Sequence, residues 1–174
     1  MAYTKAKISI PSVTGDIVIT ATAVSSGPRY TNLANPTSAY WKEGYRLSIS
    51  SGSAVACAGR TVTNFIPAKA GDILRIKGMS VTTNYGGQNG KIVLYSTLDT
   101  ESSKISGLYG VTGSGTNFGD QVSTNGDIST YTVALDNSGA QTATSACQYI
   151  RLDGVLLDGY APEDVVITIN EEIT

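Results

Sequence analysis

Two stretches of this chain combine aromatic rings with side-chain amides. Asn84, Tyr85, Gln88 and Asn89 form one, and Tyr109, Asn117, Phe118, Asp120 and Gln121 form the other. That is chemistry suited to a sugar. A flat ring stacks on the apolar C–H face, while amides or a carboxylate read the rim of hydroxyls. The same residue types are also ordinary turn formers, because Gly and Asn tolerate positive φ. Tyr40, Trp41 and Tyr45 make a further aromatic group. Exposed, they would form a stacking platform; packed, they would cap a core, which the large area of a buried Trp favours. Carboxylates gather at Asp153, Asp158, Glu163 and Asp164. Ca²⁺ takes roughly 6–8 oxygens, but this spacing matches no calcium loop, so a solvated turn is expected. Nor does the spacing set two carboxylates together as a glycoside hydrolase requires.

Histidine is absent, which excludes histidine-based triads, histidine metal ligands and a histidine pH switch. Cys57 and Cys147 lie far apart and in no CxxC spacing. Each sits among small apolar residues, so two buried thiols are expected, with a disulfide as the alternative. No catalytic residue, cofactor or metal is expected.

The residues that position these groups follow from composition. At 174 residues the chain reads as one domain, 1–174. Charged residues are 15%, well under the ~25% of an average globular protein. The polar surface must then be Ser, Thr, Asn and Gly, which favour strands and turns over helices. Net charge is −2 and the basic residues are scattered, so no nucleic-acid partner is expected. No apolar run approaches the ~20 residues of a membrane helix, and residues 1–12 lack a signal-peptide core. Synthesis in a cytoplasm with reduced cysteines is the expectation.

Strand-like runs recur between turn signals: 16–24, 45–49, 54–57, 60–66, 72–77, 91–97, 131–135, 148–152 and 164–170. Ser51-Gly52 reads as a hairpin turn, and Pro67 as a strand stop. One short helix is expected from Pro36 to Glu43, closed by Gly44. Three connections are long, at 79–90, 99–127 and 136–146; the middle one can hide a strand at 107–112. Gly15–Thr20 and Glu163–Thr168 echo each other as two similar strands. The fold class is therefore all-β: an antiparallel β-sandwich, jelly-roll-like, of nine or ten strands.

Four segments in order carry a resemblance. They are Ile10-Pro11-Ser12-Val13-Thr14-Gly15-Asp16-Ile17-Val18-Ile19-Thr20-Ala21-Thr22-Ala23, Tyr30-Thr31-Asn32-Leu33-Ala34-Asn35-Pro36-Thr37-Ser38-Ala39-Tyr40-Trp41, and Thr61-Val62-Thr63-Asn64-Phe65-Ile66-Pro67 with Gly71–Gly78. The fourth is Gln148-Tyr149-Ile150-Arg151 with Glu163–Ile173. Together they resemble a module of tail-fibre, baseplate and minor structural proteins of bacteriophages and prophages, chiefly from Gram-positive gut bacteria. The resemblance implies a sandwich like those of carbohydrate-binding modules, usually at the C-terminal end of a longer protein. Here it begins near Met1, so residues 1–14 are expected to be an anchor or an edge strand. Lys5, Lys7, Ile8 and Ile10 alternate like an edge strand guarded by lysines, a candidate for docking to other virion proteins.

The resemblance thus implies a non-enzymatic virion protein, assembled in the host bacterial cytoplasm and binding a receptor or cell-wall polysaccharide. A homo-oligomer is expected, a trimer in a fibre. The alternative is a capsid decoration or head-fibre subunit whose contacts are purely with protein.

Overall fold

Alternation along β4 (Ile73–Lys77) sets the pattern of the molecule. Leu74 and Ile76 are fully buried, while Ile73, Arg75 and Lys77 are half-buried, as a strand with one core face requires. The computed structural model describes residues 30–82, 90–97, 104–109, 122–133 and 147–174. These hold eleven strands: β1 (Lys42–Leu47), β2 (Ala54–Val62), β3 (Ile66–Pro67), β4, β5 (Met79–Ser80), β6 (Lys91–Tyr95), β7 (Lys104–Tyr109), β8 (Val122–Asn125), β9 (Ile128–Thr132), β10 (Tyr149–Leu156) and β11 (Val166–Ile169).

They form two antiparallel sheets. The larger runs β1-β2-β10-β6-β7, with β3 and β5 also paired to β10; the smaller runs β11-β4-β9-β8. Between them lies the main core. Ile92, Leu94, Ile150, Leu152 and Ile66 of the larger sheet meet Leu74, Ile76, Tyr131 and Ile167 of the smaller. At about 25 cal/mol per Å² of apolar surface, this burial is the dominant favourable contribution to folding.

The larger sheet is covered on its other face too. All five residues of β6 are buried, which is why Lys91-Ile92-Val93-Leu94-Tyr95 reads as a nearly continuous apolar run rather than an alternation. The odd-numbered side, Val93 and Tyr95, packs with Leu47, Val62 and Phe65 in a second cluster. Phe65 there meets Tyr40 and Tyr95 edge-on, with ring centroids 4.8 and 4.9 Å apart.

The β11 edge of the smaller sheet is covered by Leu33, whose N–H donates to Ile167 O at 2.8 Å, and by the Asn32 side chain. Asn32 Nδ2 donates to the Val165 carbonyl at 3.0 Å, and Ile167 N donates to Asn32 Oδ1 at 2.9 Å. The Asn32 amide thus takes the place of a strand peptide, a substitution Asn makes readily.

The sandwich expectation holds; the helix expectation does not. Residues 36–40 are turns, and β1 begins at Lys42. Asn35 Oδ1 accepts from Thr37 N and Oγ1 at 3.2 and 2.7 Å, as at the start of a helix, but the backbone then closes two separate turns, Ser38 N donating to Asn35 O and Trp41 N to Ser38 O, both at 3.0 Å. Trp41 is drawn into the core at 7% exposure, which fixes the turn that precedes β1. The described residues hold one short 3-10 turn instead, Pro162–Asp164.

Several strand boundaries also shift. Run 54–57 and the first part of run 60–66 are one strand, β2. The chain then breaks at Thr63, where Leu152 N donates to the hydroxyl of Thr63 rather than to a carbonyl. Pro67 is itself paired with Tyr149 as the last residue of β3, so a strand ends at it rather than before it. The strand sought at 107–112 runs earlier, as β7, and the short β5 and β8 add to the expected set. The run 16–24 and the echo at 15–20 lie outside the described residues.

Candidate functional site

At one pole of the larger sheet β6 begins and β7 ends, side by side and next to the middle of β10. In register, Asp153 of β10 stands opposite Lys91 of β6, and Lys91 stands opposite Tyr109 of β7. Gly90 leads the chain into β6 and Tyr109 closes β7. The two amide- and tyrosine-bearing connections are therefore rooted on neighbouring strands at the same pole. Of the expected sugar-contacting residues, Tyr109 is placed, at that root. Asn84, Tyr85, Gln88, Asn89, Asn117, Phe118, Asp120 and Gln121 lie outside the described residues, as do Lys5, Lys7, Ile8 and Ile10.

Beneath this root sits a buried ionic cluster. Asp153, Arg60 and Lys91 are at most 2% exposed. Arg60 Nε donates to Asp153 Oδ1 at 2.9 Å, and its Nη2 bonds the same oxygen. The other carboxylate oxygen accepts from Leu47 N at 2.7 Å and faces Lys91 Nζ at 3.5 Å. One carboxylate thus ties together β1, β2, β6 and β10. The cluster carries two cations and one anion, and Arg46 adds positive charge nearby. Burial pushes Lys91 below the usual lysine range; Arg60 and Arg46 add to the shift, and Asp153 opposes it.

The sign of the resulting pH dependence follows. A lysine depressed in the folded state binds fewer protons there than in the unfolded chain. Stability therefore rises with pH from the depressed value up to the ordinary 10.5. Lys91→Met, similar in volume and uncharged, is expected to lack this rise. Urea unfolding at pH 7 and pH 10 should show wild type gaining on the variant at the higher pH. A stability difference that does not change with pH would show that Lys91 keeps its proton in the fold.

A second buried cation lies one turn of the pleat away. Arg151 is fully buried and bonds to backbone: its Nε donates to Thr63 O at 3.1 Å and its Nη2 to Tyr40 O at 2.7 Å. Its guanidinium lies 5.0 Å from the Phe65 ring centroid and 5.7 Å from that of Tyr40. Arg151 is the buried post on which the aromatic layer rests. The Tyr40, Trp41 and Tyr45 group is accordingly no single platform: Trp41 is buried, Tyr40 packs on Phe65, and Tyr45 is exposed beside Lys42.

The carboxylates expected in one solvated turn are dispersed. Asp153 is interior, whereas Glu163 and Asp164 belong to the 3-10 turn, where the Asp164 carboxylate accepts from Ala161 N at 3.0 Å. No three His, Cys, Asp or Glu side chains stand together to hold a metal among the described residues. Cys147 is buried as expected, and burial pushes its thiol up to about 11, which makes it unreactive. Cys57 is half-buried rather than buried, because the part of β2 that carries it leaves the body of the sheet; both cysteines are free.

Arg60, Lys91 and Arg151 were not among the candidates read from the sequence. A signal existed: Arg151 and Asp153 stand at alternate positions in the run Tyr149-Ile150-Arg151-Leu152-Asp153, whose remaining residues pack the core. No protein-family model, curated protein or solved structure matches this chain.

Proposed function

We propose that this chain is a phage virion protein that binds a receptor or cell-wall glycan as a tail or fibre module. One observation carries the reading: the register of β6 with β7 roots both tyrosine- and amide-bearing connections at one pole of a two-sheet scaffold. A sugar site needs a rigid base and adaptable polar groups above it. Here the base is stiffened by Asp153, which joins four strands. The four segments that resemble virion modules support the same reading. Weak single contacts would be multiplied by a symmetric oligomer, a trimer in a fibre.

The assembled protein is expected to be retained on polysaccharide from the cell wall of a Gram-positive host. Tyr85→Ala or Tyr109→Ala should abolish retention while leaving the oligomer and its unfolding midpoint unchanged, since a stacked base or ring contributes on the order of 1–3 kcal/mol. Absence of retention by the assembled wild type would overturn the proposal. A high, fixed copy number on the capsid shell would assign the chain to decoration instead, and oligosaccharide released on prolonged incubation would make it an enzyme.

A further inference from the structure

We propose that residues 45–56, the outer half of the β1–β2 hairpin, form a hinged flap over the outer face of the larger sheet, latched by the Asp153 carboxylate. The hinge is written in the register. Lys42 pairs with Val62 and Glu43 with Thr61, but the next pair is Tyr45 with Ala56. Gly44 alone therefore stands opposite the four-residue stretch 57–60, far more than the single extra residue of an ordinary bulge. Gly44 and Gly59 both lie in the left-handed region, at φ 76 and 74. Such a pair lets both strands change direction together.

They do change direction. Within the sheet Lys42 is separated from Asp153 by Val62, two strand spacings or about 9.5 Å away. Yet Leu47, five residues further along β1, donates its N–H to the Asp153 carboxylate at 2.7 Å. β1 must fold back across the face of the sheet to bring this about. The tip follows, since Tyr95 Oη of β6 donates to Gly52 O at 2.6 Å. Beneath the flap Leu47 is fully buried against Val62, Val93 and Tyr95. At the hinge a hollow of about 260 Å³, lined by Glu43, Gly44, Gly59, Arg60, Thr61 and Val155, leaves room for the bend to open.

The Asp153 and Tyr95 side chains thus hold a short hairpin by hydrogen bonds to its backbone rather than through a ladder. Units held this way open at a free energy below that of global unfolding. Opening uncovers Val93, Tyr95 and the Arg60–Lys91–Asp153 cluster at the pole from which β6 and β7 connect. The flap is independent of what those connections bind.

Thiol labelling tests this. Val93→Cys in a Cys57→Ser background places a thiol under the flap. Under native conditions it is expected to react at least ~10-fold faster than global unfolding, measured by urea, allows. Tyr95→Phe, which removes the latch at the tip, should widen that margin ~10-fold again. Amide hydrogen exchange on the unaltered chain supplies the same comparison without a substitution at Val93. Leu47 N should exchange at least ~10-fold faster than Leu152 N, which donates to Thr63 Oγ1 in the sheet. Equal protection of these two amides, or a thiol at position 93 that reacts only at the rate of global unfolding, would overturn the flap.

Discussion

Asp153→Ala is expected to destabilise the fold by about 3–5 kcal/mol, the cost of removing one partner from a buried ion cluster. The reason is the asymmetry of what remains. Arg60 and Lys91 lose their carboxylate in a setting where both are almost wholly excluded from water, and the Leu47 N–H loses its acceptor. An uncompensated buried charge costs far more than the intact cluster contributes. Against a total stability of about 5–15 kcal/mol this is a large fraction. Asp153→Asn keeps an oxygen for Leu47 N and should fall between the two. Replacing all three members with apolar residues of similar size should recover most of the loss, because the desolvation of three charges goes with them. Urea midpoints across this series provide the measurement. An alanine variant within 1 kcal/mol of wild type would mean that water reaches the cluster.

Gly90→Ala should be comparably severe for a different reason. A Cβ at this position would lie 1.7 Å from the Val81 carbonyl oxygen and 2.4 Å from its carbon. The obstacle is backbone, so no side chain can rotate away, and the two segments would have to separate. We expect a loss of at least ~3 kcal/mol, beyond the usual range for overpacking. Gly44→Ala provides the contrast: nothing lies within 4 Å of its Cβ, but φ is +76. It should cost only the ~1–2 kcal/mol of holding an L-residue in the left-handed region. If the two substitutions cost the same, the close approach of Gly90 to Val81 is not a constraint on the fold. Because Gly90 leads into Lys91, the same clash would also displace the pole where Lys91 and Tyr109 pair.

Much of the architecture was legible from local pattern. The alternations in β4 and β11, the apolar run of β6 and the turn at Ser51-Gly52 are short-range properties, and the strands fall where those runs are. The Pro36–Glu43 segment misled because its spacing suits a helix, while the chain closes two turns there and delivers Trp41 to the core at the start of β1. Two-residue strands such as β5 carry no period to detect; Met79 and Ser80 are strand because Leu156 and Val155 happen to lie beside them.

The candidate site divides along the same line. By itself the sequence determined which residue types could stack on a sugar or read its hydroxyls, that no histidine chemistry is available, and that the fold is built of strands. Only the tertiary structure decided that β6 and β7 are neighbours, and so that two connections far apart in the chain share one root. It alone decided that Asp153, read as part of a solvated acidic turn, is the buried centre of a four-strand cluster. The physical reason is that a period-2 pattern assigns a residue to a face of its own strand. Whether that face meets water, a second sheet or a folded-back hairpin depends on segments a hundred residues away, as Leu47 and Asp153 do on each other.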